Sequence, residues 1–350
     1  MKISVLGAGA VGCMIAGLIK RHDPGVDLWL LGRGAHADRM RQTGDMELRG
    51  DWGSFRVPVN VCETVADIAG SDMILLTVKS TATDEIMAAA KPYIDEAVLV
   101  SLQNGINQHR LAQYIPESRF LVGVTTSNMS IPEPGTIVLN LGAPTVVGPP
   151  RGDGSGNDSM QQVALKLLAK SRLPLTMFSP IESIQYNKIA VNALGYTSAL
   201  SRSNFVTEGL LDRQWRHTIA IPMLDESFRV LDAAGIRLAH VPGPSDVIRM
   251  RQAIGWLDHR IARIPLSWII RRRGTPRLVY SIEQDLLRGR PTEIDFVNGE
   301  IVRLAKRHGV AAPLHQLTVD IAHELERREQ NRFLDRGELI TRFRKLGVTG

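Results

Sequence analysis

The chain has 350 residues, 44% of them apolar and 22% charged. That is length for about two domains and the balance of a folded protein, which excludes disorder and fibrous structure. Two cysteines, Cys13 and Cys62, exclude a disulfide framework and a cysteine-rich zinc site and point to a reducing cytoplasm. The formal charge of +6 is local, because residues 249–277 hold eight Arg against one Asp. The remainder is close to neutral, so no broad nucleic-acid face is expected; the segment reads as a solvated Arg-rich helix, with a patch for an anionic partner as the alternative.

Lys2 and the mostly apolar run to Lys20 have the outline of a secretory leader, but four glycines interrupt it. Residues 2–6 (KISVL) predict a short buried strand, Gly7, Gly9 and Gly12 a turn, and Val11 to Lys20 a helix. Strand-like runs follow at 27–31 (DLWLL), 72–78 (DMILLTV), 97–102 (AVLVSL) and 120–126 (FLVGVTT), separated by helical segments such as Thr83 to Ala90. This alternation predicts parallel βαβ units and an open sheet with helices on both faces. From Gly135, GTIVLNLG and APTVVG predict a hairpin-like pair that ends the sheet on an antiparallel edge.

Residues 149–158 (PPRGDGSGND) predict an exposed loop, followed by a helix over 159–171 and a strand in LPLTMF. Beyond Pro180 strand patterns vanish. Helical periodicity covers 181–200, 215–234, 246–270, 276–289, 292–309 and 313–330, with no fixed repeat and no run of membrane-spanning length. The division expected is therefore an α/β domain over residues 1–179 and an all-helical domain over 180–350.

Gly7-Ala8-Gly9-Ala10-Val11-Gly12 is a G-x-G-x-x-G in its demanded strand, turn and helix context. Gly7 permits the turn, Gly9 lets the backbone approach a pyrophosphate, Gly12 allows close helix-to-strand packing, and the helix N-terminus offers unpaired N–H groups. The first domain thus reads as a Rossmann-like dinucleotide-binding domain. The second strand closes on Leu31-Gly32-Arg33 with no acid to accept from a ribose 2′-hydroxyl. Arg33 suits a 2′-phosphate instead, so NADPH is expected over NADH.

Lys79 (in TVKS) and Asn104 (in QNG) follow two sheet strands, where open α/β folds bind ligands, or serve as turn and cap residues. Across the boundary lies NKIAVN, in which Lys188 and Asn192 share one helix face. Lys188 is the sole lysine between Lys170 and Lys306 in a chain that otherwise uses Arg. Ser281 to Asp285 (SIEQD) and Thr292-Glu293-Ile294-Asp295 set carboxylates about a helix start. Thr292 with Asp295 is a near-match to a capping box, an explanation that Glu293 lacks. No His/Asp/Glu cluster has metal-ligand spacing, so no metal is expected.

In order and spacing, GAGAVG, TVKS, QNG, NKIAVN and SxxQD with RPTEIDFVNG resemble the ketopantoate reductases (2-dehydropantoate 2-reductases), over about residues 1–235 and 278–325. The resemblance implies NADPH-dependent reduction of a small 2-oxo acid by a cytoplasmic enzyme supplying pantothenate and coenzyme A synthesis, with a homodimer as one assembly. It implies Lys188 as catalytic lysine with Glu293 beside it, Asn104 and Lys79 near nicotinamide and substrate, Asn192 and Ser281 as substrate contacts, and Arg33 on the 2′-phosphate. The chain departs from the family at Tyr196, where a second substrate-facing asparagine is common, and in the longer stretch at about 240–277, which holds Trp256, Trp268 and most of the arginines. Tyr196 is thus a substrate-side position, and it favours as runner-up a paralogue reducing a bulkier branched or aromatic 2-oxo acid. The long stretch suggests a lid or dimer surface. A third reading is a non-catalytic NADPH sensor that docks nucleic acid or membrane through Arg271, Arg272 and Arg273. Cys13 reads as a small packing residue.

Overall fold

The computed structural model describes residues 1–50, 53–94, 96–150, 158–241, 246–258 and 278–346. They form two compact units, Met1–Gln185 and Tyr186–Gly350.

The first unit is α/β. Its strands are β1 (Lys2–Leu6), β2 (Asp27–Leu31), β3 (Asp45–Gly50), β4 (Phe55–Pro58), β5 (Asn60–Val61), β6 (Met73–Leu76), β7 (Val98–Ser101), β8 (Phe120–Thr125), β9 (Asn128–Glu133), β10 (Thr136–Leu141), β11 (Thr145–Gly148) and β12 (Leu175–Met177). Its main helices are α1 (Ala10–His22), α2 (Ala35–Thr43), α3 (Thr83–Ala90), α4 (Gln108–Leu111) and α5 (Asp158–Ala169), and α6 (Glu182–Ala199) begins at its end. An eight-stranded sheet runs β12-β11-β8-β7-β6-β1-β2-β5 and a four-stranded one β4-β3-β10-β9.

The strands expected from the apolar runs are present. Leu6 lies opposite Leu31 and Leu76, and Leu76 opposite Ser101, so four parallel strands end at one level. Every loop that carries a candidate cofactor residue leaves that one edge, where ligands bind in open α/β sheets. β6 and β7 are buried at every position because they are central strands covered on both faces.

The expected hairpin is not formed. β10 pairs with β9 and β3 in the small sheet, whereas β11 pairs antiparallel with β8 and parallel with β12 in the large one. The antiparallel step therefore occurs one strand inside the edge, and β12 is the edge. The small sheet went unread because β3 (DMELRG) buries only Met46 and Leu48 and faces charges outward, while β4 carries Pro58. Its function is to cover α1. A Cβ on Gly17 of α1 would fall 2.6 Å from Met46 Cε and 2.9 Å from Leu48 Cδ1, so this helix is packed against both sheets. Gly12 to Ile19 are all buried, which explains an apolar surface all round that mimics a leader. Burying each Leu, Ile or Met side chain there contributes roughly 1.5–3 kcal/mol. Cys13 is one of these packing residues, its thiol pushed up to about 12 by burial.

In the second unit every described element is helical: α6 continues, then come α7 (Arg213–Trp215), α8 (Ile221–Ala233), α9 (Val247–Trp256), α10 (Ser281–Leu287), α11 (Asn298–Arg307), α12 (Pro313–Glu326) and α13 (Arg336–Lys345). The helix expected over 215–234 is α8 preceded by a wider π-helical turn, Arg216–Ala220. α13 and a second π-helical turn, Phe205–Leu210, were not anticipated. Buried polar groups pin the helix starts. Asn187 Oδ1 accepts from Val247 N–H at 2.8 Å, and Glu226 accepts from the N–H groups of Leu314 and His315 at 3.2 and 2.9 Å. The helix expected over 246–270 is described to residue 258; residues 259–277, which include Trp268 and Arg271 to Arg273, lie outside the described residues, as do residues 151–157 of the expected loop. No described helix is long and apolar enough to cross a membrane.

Candidate functional site

In the first unit the glycine turn is built for a ligand of the backbone. Gly7 has φ +101°, and a Cβ there would meet Val78 N at 2.5 Å. The N–H groups of Gly7 and Ala8 both donate to Leu31 O, at 3.0 and 2.9 Å, and that of Gly9 to Gly7 O at 2.7 Å. These three residues therefore shape the turn rather than offer donors. The first helical bond of α1 is Cys13 N–H to Gly9 O, at 3.0 Å, which leaves the amides of Ala10, Val11 and Gly12 outside the ladder. Beside Gly9 there is open space: a Cβ added there would have Gly7 O of the same turn as its nearest neighbour, at 4.0 Å. At Gly12 the reverse holds: a Cβ would lie 2.3 Å from Thr77 Oγ1 and 2.6 Å from Val5 Cγ1. Thr77 in turn donates to Gly7 O at 2.7 Å and braces the turn from β6. Open space, free amides and the positive helix end together fit a pyrophosphate.

Arg33 stands just beyond β2 with its side chain 90% exposed, paired among the described residues with Glu85 of α3 at 3.2 Å. Such an exposed pair is weak, so the guanidinium is available to a dianionic phosphate. Lys79 and Asn104 are half-buried in the loops after β6 and β7. A hydrogen-bond network ties these loops together. Ser80 donates to Asn104 O at 2.6 Å, Asn107 Nδ2 to Ser80 Oγ and Asn104 O at 2.9 Å each, and Gln103 Nε2 to Val78 O at 3.0 Å and Thr83 Oγ1 at 2.8 Å. Arg110 closes it on Ser80 O at 2.7 Å and Asp84 at 2.7 Å. Asn107 and Arg110 were not singled out from sequence, and Gln103 only as part of QNG; polar residues shortly after that motif were the available signal.

The second unit holds the other group. From Ser183 to Ala199 every residue of α6 is buried except Lys188 and Asn192, one turn apart, so the helix keeps solvent access at one spot. Burial pushes the Lys188 ammonium down to about 8, against the opposing pull of the Glu293 carboxylate. Glu293 is itself only 4% exposed and precedes a short 3-10 turn, Ile294–Phe296. The capping box expected at Thr292 is not formed. Thr292 Oγ1 accepts from Ile294 N–H at 3.3 Å, its own N–H goes to Glu326 Oε1 at 2.8 Å, and Asp295 pairs outward with His323 at 3.1 Å. The intervening Pro291-to-Val297 stretch is a tight turn before α11, and it carries Glu293 inward while Asp295 stays half-exposed. Ser281 opens α10, half-buried, with Oγ 2.6 Å from the hydroxyl of Tyr196. Four of the second-domain candidates are thus one electrostatic cluster: Glu293 acts on both Lys188 and Tyr196, and Tyr196 bonds Ser281.

The fold and these sites define the class, a dinucleotide-binding oxidoreductase with a Rossmann-like unit and a helical unit. The chain matches the family model "Ketopantoate reductase PanE/ApbA" over residues 3–152 and its C-terminal counterpart over 180–326, and it belongs to the ketopantoate reductase family. Among curated relatives, it is 29% identical to the 2-dehydropantoate 2-reductase of Pyrococcus horikoshii over 91% of this chain and 95% of that one. It is 26% identical to that of Halobacterium salinarum over 93% and 99%. Among solved structures it resembles in fold a PanE/ApbA family ketopantoate reductase from Ralstonia eutropha JMP134 (TM-score 0.73, 24% identity, 93% and 98% covered). It also resembles a D-mandelate dehydrogenase solved with NADH and anilino(oxo)acetate (TM-score 0.74, 19% identity, 93% and 98% covered).

Proposed function

We propose that this chain reduces 2-dehydropantoate (ketopantoate) to pantoate with NADPH, as a cytoplasmic enzyme of pantothenate and coenzyme A synthesis, and that Lys188 is its general acid. The observation that carries the reading is a lone lysine on a buried helix, beside a buried carboxylate, with its ammonium brought down to about 8. A proton donor matched to near-neutral pH is what carbonyl reduction needs. When bound, the nicotinamide supplies a hydride to the carbonyl carbon. Lys188 Nζ–H meets the charge that grows on the carbonyl oxygen and delivers the proton that completes the 2-hydroxy acid. Glu293 keeps the ammonium charged within its apolar helix and orients it. Asn192 presents its amide one turn along the same face, and Ser281 offers a hydroxyl to the substrate carboxylate. In the first unit Ala10, Val11 and Gly12 would hold the pyrophosphate, Arg33 the 2′-phosphate, and Lys79 and Asn104 the nicotinamide end.

The test is NADPH and NADH oxidation with ketopantoate and a panel of branched and aromatic 2-oxo acids. Turnover with ketopantoate and NADPH that Lys188→Ala abolishes supports the reading; turnover confined to aromatic acids replaces the substrate, and none on any acid overturns it.

A further inference from the structure

Tyr196 stands where the family commonly has an asparagine, and the structure gives it a role that an asparagine could not fill. Its ring is only 1% exposed and offers no face to a ligand. Tyr280 lies edge-on to it, centroids 6.2 Å apart at 76°. Phe205 packs edge-on against Tyr280 at 6.0 Å, and the fully buried Trp215 against Phe205 at 6.3 Å. This ladder requires the residue before Tyr196 to be glycine, since a Cβ on Gly195 would sit 2.2 Å from the Tyr280 ring. Four aromatic rings thereby fix one hydroxyl, and that hydroxyl meets Ser281 Oγ at 2.6 Å.

A serine hydroxyl has one hydrogen to give. If Ser281 donated to Tyr196, it would turn only lone pairs towards an anionic substrate. If Tyr196 donates, the serine proton is released outward. The surroundings favour the second arrangement: among the described residues the buried Tyr196 hydroxyl has Ser281 Oγ as its one hydrogen-bond partner, so its proton is satisfied by donating there, whereas the half-buried Ser281 keeps an outward side; burial, and after it the Glu293 and Asp285 carboxylates, hold that proton on the phenol. We propose that Tyr196 is a positioning residue, whose phenol donates to Ser281 Oγ and so aims the serine proton at the ionised carboxylate of a 2-oxo acid. The inference deepens the reductase reading and rests on it: the device selects substrates with a carboxylate beside the carbonyl over their neutral amides.

The experiment compares the wild type, Tyr196→Phe, Ser281→Ala and the double variant on ketopantoate and on the corresponding 2-oxo amide, with thermal melting of each to confirm folding. Tyr196→Phe should raise KM for the acid about tenfold, the worth of one hydrogen bond, with kcat little changed. The amide KM should move by no more than about threefold, because the bond it makes is not charge-assisted. In the Ser281→Ala background the tyrosine change should add nothing, since its effect runs through that serine. Equal losses on acid and amide, multiplicative losses in the double variant, or an unchanged acid KM overturn the proposal while the reductase reading stands. Should Tyr196→Phe fail to fold, Ser281→Ala alone decides, since equal losses on acid and amide there are equally fatal. A wild type that turns over no 2-oxo acid ends both readings.

Discussion

The two candidate sites are built by different means. The glycine turn in the first unit is a backbone site: within six consecutive residues, three glycines set φ, clearance and packing, and the amides of Ala10, Val11 and Gly12 stay outside the helical ladder. The site in the second unit is a side-chain site, assembled from α6, the first turn of α10 and the turn before α11, about a hundred residues apart in the chain. A backbone site is insensitive to most side-chain changes and fails when a Cβ is added. A side-chain site tolerates backbone adjustment and fails when one charge is removed.

That contrast can be broken most sharply at Lys188. Lys188→Ala should lower kcat by about 10²- to 10⁴-fold, the usual share of a general acid, with NADPH affinity unchanged in fluorescence titration. The same group should set the pH profile: on the proposed role its ammonium is the active form, and with burial bringing it down to about 8, kcat/KM should fall as pH rises through that value. An activity flat to pH 10 would remove Lys188 from the role.

Next in size is Gly12→Val, the reciprocal change in the backbone site. The new side chain has to displace Thr77 and Val5, and overpacking of this kind costs about 1–3 kcal/mol. A urea midpoint and a cofactor titration should both worsen; unchanged NADPH binding would mean that the turn is not the pyrophosphate site. Arg33→Ala is the one side-chain change expected to matter there. It should weaken NADPH about tenfold and leave NADH nearly unaffected, given the strength of a charge-assisted pair; equal effects on both cofactors would remove Arg33 from the 2′-phosphate.

The smallest effect concerns stability alone. His315 is fully buried between Ser227 (2.8 Å) and Asn298 (3.3 Å), and burial pushes its pKa down to about 3. Its folded value lies below the unfolded value of about 6.5, so the unfolded chain binds the extra proton first. Stability should therefore fall as pH drops from about 6.5 towards 3, and His315→Gln should flatten that slope in urea unfolding at pH 7 and pH 4.5. An unchanged slope would place the acid sensitivity elsewhere.

Much of this was legible along the chain. Apolar runs of five to seven residues marked β1, β2, β6, β7 and β8, and the glycine spacing marked the turn before α1, because both signals are local. The small sheet was not legible, since β3 and β4 bury one face only and look like polar loop, and β10, which pairs with β3, is distant in sequence. Thr292 and Asp295 show the same limit: spacing suggested a reciprocal cap, and the structure gave Thr292 to the following turn and Asp295 to His323.

From its sequence alone, then, this chain determined a parallel α/β unit followed by a helical one, a glycine turn at a helix start, and the residue types for hydride chemistry. Period, steric freedom and charge are properties of neighbouring residues. Only the tertiary structure decided that Lys188 sits on an otherwise buried helix face near a carboxylate that offsets its desolvation, that Glu293 rather than Asp295 turns inward, and that the Tyr196 ring is buried with its hydroxyl on Ser281. Each of those outcomes depends on what distant segments place around a side chain, and burial, which sets both proton affinity and hydrogen-bond direction, exists only once they have packed.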